Sequence, residues 1–183
     1  MTILHIDSSI NGDKSASRAI SLAIVEQLKA ERKGAEVVYR DLASEPLPHL
    51  TLDIVADTSV VDEFLGADTV VIGAPMYNFT LPTQLKAWID RVVLAGKTFR
   101  YTKDGPQGLA KGKRVIVALA RGGFYSMGSP AAALEHLETY LRGVFNFIGI
   151  EPEFVAADGL NISADQRRQS IQFALGETVR LAA

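Results

Sequence analysis

The sequence predicts one α/β domain: a doubly wound, three-layer fold around a five-stranded parallel sheet, strand order 2-1-3-4-5. Three observations predict it. Short apolar runs alternate with stretches of helical period along the chain. Most connections between them are short, as right-handed crossover units require. The strongest run, Thr-Val-Val-Ile-Gly-Ala at Thr69–Ala74, is apolar on both faces, as a central parallel strand is.

Each element follows in order. Thr2–Asp7 reads as a short buried strand, and Asn11-Gly12-Asp13 marks the loop behind it. Ser17 caps a helix reaching about Arg32, with Ile20, Ala23, Ile24 and Leu28 on one face. Gly34 ends it, and Glu36–Asp41 is the second strand. Ala43–Thr58 carries Pro46 and Pro48 and reads as a loop, followed by a short helix over Val60–Leu65. After the Thr69–Ala74 strand, Pro82 opens a helix through Leu85, Trp88, Ile89 and Val92 to Gly96. Lys97–Lys113, rich in glycine, reads as an irregular excursion. Arg114–Ala120 is the fourth strand. Pro130 then starts a long helix with Leu134, Leu137, Leu141, Val144, Phe145 and Ile148 on one stripe. Glu153–Ala157 is the last strand, and Ser163-Ala164-Asp165 begins a final helix through Ile171, Leu175 and Val179.

Composition narrows the chemistry. At 183 residues the chain suits a single domain over 1–183, with enough core to need no staple. A formal charge of -2 offers nothing to nucleic acid or an anionic membrane. There is no cysteine, so thiolate ligands, thiol nucleophiles and dithiol redox centres are excluded. Redox chemistry would have to come from a bound cofactor. No signal peptide or apolar span is read, so the expected location is cytoplasmic. His49 and His136 lack a carboxylate or second histidine at ligand spacing, and no metal site is expected. His5 reads as a structural residue of its strand, and Trp88 as packing.

In such sheets ligands bind beyond the carboxyl ends of the strands, at the switch point, which directs attention to the loops after strands one, three and four. The first loop holds Ser8, Ser9, Ser15 and Ser17 and leads into a helix, whose N-terminal N–H groups attract phosphate. Neither Gly-x-Gly-x-x-Gly nor a P-loop is present, which favours a monophosphate over a pyrophosphate. Ser15 and Ser17 suit a plain helix cap equally well. The second loop, Met76-Tyr77-Asn78-Phe79, could wall a flat aromatic ligand or pack into a core or subunit interface. The third, Ala120-Arg121-Gly122-Gly123, could bring N–H groups and a cation to a ligand's polar edge, or form a tight turn with a solvated arginine. An aromatic monophosphate fits the three together, and FMN is the obvious one.

These residues resemble the FMN-dependent NADH:azo and quinone oxidoreductases, the azoreductase (acyl-carrier-protein-phosphodiesterase-like) family. The likeness rests on Ala74-Pro75-Met76-Tyr77-Asn78-Phe79 followed by Gln84-Leu85-Lys86-Ala87-Trp88-Ile89-Asp90. Thr98-Phe99-Arg100-Tyr101-Thr102, Gly105-Pro106, Arg121-Gly122-Gly123 and Ile148-Gly149-Ile150 support it. The resemblance implies a flavodoxin-like fold, a homodimer with FMN at the interface, and ping-pong turnover in which NADH or NADPH reduces FMN before a quinone or azo compound enters. It implies Ser9, Ser15, Ala16 and Ser17 at the phosphate. It places Met76, Tyr77, Asn78 and Phe79 at the ring and ribityl chain, and Ala120, Arg121, Gly122 and Gly123 at the ring's polar edge. Phe99 and Tyr101 could line the acceptor side. No side chain is expected to act as acid, base or nucleophile. Two departures stand out: Ala120 replaces a serine common in the family, and the segment between Pro48 and Asp62 is shorter than usual. The rivals are a flavodoxin-type electron carrier and a flavin reductase serving a partner enzyme. Such carriers tend to be strongly acidic, and this chain is nearly neutral. A response-regulator module would need an aspartate where Ala74-Pro75 stands.

Overall fold

The computed structural model describes residues 1–181. Five parallel strands form one sheet: β1 (Thr2–Asp7), β2 (Glu36–Asp41), β3 (Thr69–Pro75), β6 (Arg114–Ala120) and β7 (Glu153–Ala157). They lie in the order β2-β1-β3-β6-β7. Two further strands, β4 (Phe99–Thr102) and β5 (Gly105–Gly108), pair as a separate antiparallel hairpin. The helices are α1 (Ala16–Glu31), α2 (Leu52–Val55), α3 (Ser59–Gly66), α4 (Thr83–Val92), α5 (Glu138–Phe147) and α6 (Ala164–Leu181).

Strand alternation divides the core in two. Leu4 and Ile6 of β1, Val70 and Ile72 of β3, and Val117 and Leu119 of β6 meet Phe64, Leu85, Trp88, Leu141 and Phe145 from α3, α4 and α5. On the other face Ile3, Val71, Ile116 and Val155 meet Ile20, Ile24, Val25 and Leu28 of α1, and Ala174 of α6. All of β3 is buried, as a strand covered on both faces must be. Among the described residues no helix is long and apolar enough to cross a membrane.

The structure departs from the sequence reading at several elements, including α2 inside the Ala43–Thr58 segment expected to be a loop. The Lys97–Lys113 excursion contains the β4–β5 hairpin, which docks where Gly108 lies on the end of α5. A Cβ on Gly108 would stand 2.2 Å from the Ile148 backbone, so only glycine allows this contact. The Ile148-Gly149-Ile150 motif closes α5: Gly149 takes φ 94, and Ile150 N–H donates to the Phe145 carbonyl at 2.9 Å. The long helix expected from Pro130 begins only at Glu138, with a 3-10 turn at Ala132–Leu134 before it. The Glu135 carboxylate accepts from the N–H groups of Leu137, Glu138 and Thr139 at 3.0, 2.7 and 2.9 Å. That carboxylate satisfies the first-turn donors and sets the start. Leu134 is left exposed. In α6 the buried positions are Ala174 and Thr178, and Val179 is exposed.

Between β1 and α1 the core turns polar. His5, Asp7 and Gly73 share a face with Ile3 and Val71, and Ser21 of α1 lies against them. Gly73 permits this approach, because a Cβ there would lie 2.2 Å from Asp7 Oδ1 and 3.3 Å from the Ser17 carbonyl oxygen. Gly73→Ala is therefore expected to destabilise the fold by about 1–3 kcal/mol through overpacking. A denaturant melt with an unchanged midpoint would contradict this account of the packing.

Candidate functional site

The loop after β1 is built by the sequence around hydroxyls. Ser15 is the N-cap of α1, its Oγ accepting from Arg18 N–H at 3.3 Å. Ser17, expected as the cap, is instead the second residue of the helix, its Oγ 3.1 Å from Ser15 Oγ. Ser9 Oγ lies 3.2 Å from Tyr77 Oη, and Tyr77 Oη also accepts from Ile10 N–H at 3.1 Å. Each pair of hydroxyls uses one proton between its two oxygens and leaves the other free to donate. The N–H groups of Ala16 and Ser17 sit in the first helical turn, which has no acceptor within its own helix. The donor set is thus hydroxyls and backbone amides at a helix N-terminus, the chemistry that suits a phosphate monoester.

Arg18 fixes this loop. Its Nε and one Nη donate to the Ser9 carbonyl at 3.2 and 2.8 Å. The same guanidinium meets both Asp41 oxygens at 2.7 and 2.8 Å, and Tyr39 Oη at 3.0 Å. Tyr39 in turn donates to Asp7 at 3.2 Å. Burial, with Asp7 nearby, pushes the Tyr39 phenol up to about 12. The hydrogen bond from Arg18 holds the Asp41 carboxyl below its ordinary range. Burial pushes the His5 imidazole down, so it is neutral near pH 7.

The loop after β3 is a tight turn. Tyr77 and Thr80 exchange backbone hydrogen bonds at 2.9 and 3.1 Å. Asn78 and Phe79 between them both take positive φ, 47° and 72°. Positive φ at both central positions is the type I′ pattern, and phenylalanine adopts it rarely. Phe79 packs edge-on to Tyr125 at 6.1 Å and stays partly exposed.

The loop after β6 meets the loop after β7. Leu160 N–H donates to the Arg121 carbonyl, Asn161 N–H to that of Gly122 and Gly159 N–H to that of Gly123, at 3.1, 3.0 and 3.0 Å. A Cβ on Gly122 would lie 2.6 Å from Asn161 Nδ2, so Gly122 serves this loop-to-loop approach, while a Cβ on Gly123 would meet the Tyr125 ring at 3.2 Å.

A cleft of about 140 Å³ opens where these loops meet. Of the residues expected at a ligand, Ser9, Ser15, Ala16, Met76, Tyr77, Ala120 and Gly122 line it together. Ser17 lies behind Ser15, wholly buried. Asn78, Phe79 and Gly123 stand outside it. The Arg121 guanidinium is not brought into the cleft. It is buried against Asp158 at 2.6 Å, Glu138 at 3.4 Å and Glu135 at 3.6 Å. The cation read as serving a ligand's polar edge, or as solvated, is instead enclosed by three carboxylates. Sequence reasoning missed Asn11, Pro75, Leu160, Asn161 and Arg167, which also line the cleft. The signal for the last three was topological: β7 neighbours β6, so its loop emerges beside the glycine loop.

Larger hollows of about 580 and 550 Å³ lie beside α1 and β2 and around Arg121. Their guanidinium groups, Arg18 and Arg121, are already matched to carboxylates. Of these three hollows among the described residues, the smaller cleft joins first-turn donors to the loops after β3, β6 and β7. Among the described residues no group of three or more His, Asp or Glu side chains could hold a metal ion.

The fold and the site define an α/β protein with a donor-lined cleft at the head of a doubly wound parallel sheet. A model of the flavodoxin-like-fold family matches residues 1–181, and the chain belongs to that family. A relative from Sinorhizobium fredii, named an FMN-dependent NADH:quinone oxidoreductase, is 54% identical over the whole of both chains. A Bradyrhizobium diazoefficiens protein of the same named activity is 53% identical, again over the whole of both. The first alignment spans 206 positions, so the relative has residues that this 183-residue chain lacks. The crystal structure of an azoreductase from Bacillus anthracis superposes with a TM-score of 0.90 at 30% identity, covering 100% of this chain and 98% of that one.

The Arg18–Asp41 pair carries a pH signature. The native Asp41 carboxyl titrates below its ordinary value of 3.8. The unfolded chain takes up that proton first, so the stability is present above 3.8 and is lost as pH falls through the lower native value. Asp41→Asn should cost about 1–3 kcal/mol at neutral pH and flatten the acid limb of the stability profile. Identical acid limbs in the two proteins would refute the role given to this pair.

Proposed function

We propose that this chain is an FMN-dependent NADH:quinone oxidoreductase that also reduces aromatic azo compounds. The observation that carries the reading is the cleft's donor set, hydroxyls and first-turn amides without a pyrophosphate-type glycine loop, in a chain half identical to relatives of that named activity. Ser9, Ser15, Ala16 and Ser17 would hold the phosphate. Met76 and Tyr77, with the Asn78-Phe79 turn, would border the ribityl chain and ring. Ala120, Gly122 and Gly123 would offer backbone to the ring's polar edge. Bound FMN would supply the hydride chemistry, through its N5, first with NADH or NADPH and then with the acceptor in a ping-pong sequence. The chain's own part is positioning and exclusion of water. No side-chain acid, base or nucleophile is assigned.

The cleft is smaller than the roughly 300–1,000 Å³ that encloses a drug-sized ligand, so it would hold only one end of FMN. Ile10, Phe79 and Phe124, one from each of three cleft-side loops, stand exposed. Both features support a homodimer in which a second copy completes the ring's surroundings, with the exposed Tyr101 of the hairpin towards the acceptor and Phe99 buried behind it against Phe147. A cytoplasmic location, where reduced nicotinamide is abundant, goes with this reading.

The test is anaerobic. The protein loaded with FMN is expected to lose its visible flavin absorbance on adding NADH and to regain it on adding a quinone. FMN binding without bleaching would favour a one-electron carrier. Flavin that is reduced and then dissociates readily would favour a reductase serving a partner. Absence of flavin binding would overturn the reading. Within it, Tyr77→Phe removes the hydroxyl that ties Ser9 and Ile10 to the β3 loop. FMN affinity should fall about tenfold, as for loss of about 1.4 kcal/mol, with the melting temperature little changed. Equal affinities in isothermal titration would count against Tyr77 as the strut of the phosphate loop.

A further inference from the structure

We propose that Arg167 of α6 is the cation that recognises the phosphate monoester in the cleft. The inference rests on the reading that the cleft takes FMN. It assigns a residue outside the loops after β1, β3 and β6.

A phosphate monoester carries close to two negative charges at neutral pH. Serine hydroxyls and amides donate hydrogen bonds but bring no net charge, and a helix N-terminus supplies only about half a unit. A side-chain cation in the cleft would supply the charge that these donors lack. Arg18 lies under the loop, but Asp41 neutralises it at 2.7 Å. Arg121 is neutralised by Asp158 at 2.6 Å and faces Glu135 and Glu138 as well. Lys14 belongs to the loop, but its side chain is exposed and does not line the cleft.

Arg167 does line it, with Ser9, Ser15 and Ala16. One Nη donates to the Lys14 carbonyl at 2.7 Å, immediately before the N-cap Ser15. That bond pins the half-buried guanidinium beside the first turn of α1. A guanidinium has five N–H donors in a planar fork, so most are left for a ligand. Among the described residues no carboxylate lies within ion-pair distance of Arg167, whereas its neighbour Arg168 pairs with Asp165. An arginine held in place by a backbone carbonyl, with its charge unmatched, is preorganised for a bidentate anion such as phosphate.

The experiment compares binding of FMN and of riboflavin, which lacks the phosphate, to the apoprotein by quenching of flavin fluorescence. The variants are Arg167→Gln and Arg167→Lys. The wild type is expected to prefer FMN strongly. Arg167→Gln should weaken FMN about 10- to 100-fold, the usual worth of a charge-assisted hydrogen bond, and leave riboflavin unchanged. Arg167→Lys should recover part of the loss. Added potassium chloride should weaken FMN binding more in the wild type than in Arg167→Gln. A preference for FMN retained in Arg167→Gln would overturn the assignment and leave the cofactor reading intact. Equal loss of both flavins would mean that Arg167 only holds the fold, which also overturns it. A wild type that binds neither flavin would remove the cofactor reading and this assignment with it.

Discussion

The guanidinium of Arg18 is the junction on which the upper edge of the sheet depends. It belongs to the first turn of α1, reaches the carbonyl of Ser9 in the β1 loop, and grips both oxygens of Asp41 at the end of β2. One planar group thereby fixes a helix start, a loop and an edge strand. Tyr39, which is partly exposed, and the buried Asp7, Ser21 and His5 extend it as a polar chain. Burying a charge is expensive unless every donor finds a partner, and here the partners lie on three elements. The cleft's hydroxyls are ordered because the backbone beneath them is.

The fold was largely legible because its information is local. β1, β2, β3, β6 and β7 are apolar runs bounded by turn residues, and α1 and α4 carry their apolar faces at helical spacing. The errors arise where a side-chain cap or a nonlocal contact outweighs the apolar pattern. The apolar stripe from Leu134 looks helical, yet the Glu135 carboxylate caps the chain later and leaves Leu134 outside. The hairpin at β4 and β5 is carried by Gly105, Pro106 and Gly108, residues that by themselves argue against a strand. It forms because Gly108 can lie flat on the Ile148 backbone.

The site was legible at the level of loops and less so at the level of side chains. Ser9, Ser15, Ala16, Met76, Tyr77, Ala120 and Gly122 do converge on one cleft. Composition could not reveal that Arg121 faces inward, because its partners Asp158, Glu138 and Glu135 come from other elements. Leu160, Asn161 and Arg167 follow β7, which the expected strand order already set beside the fourth strand, but no motif marks them as lining residues. The glycines gain a different meaning too. Gly122 is small because another loop crosses it, as Gly73 is small because Asp7 and Ser21 do.

The turn at Asn78 and Phe79 limits how this surface can vary. With φ at 47° and 72°, the backbone there tolerates glycine, asparagine and a few unbranched residues, and resists valine, isoleucine or threonine. Substitution at position 79 therefore samples a short alphabet. A library that ignores this would include many members with a strained turn. One restricted to compatible residues would change the exposed ring of Phe79 while keeping the carbonyl that accepts from His136 N–H at 3.0 Å.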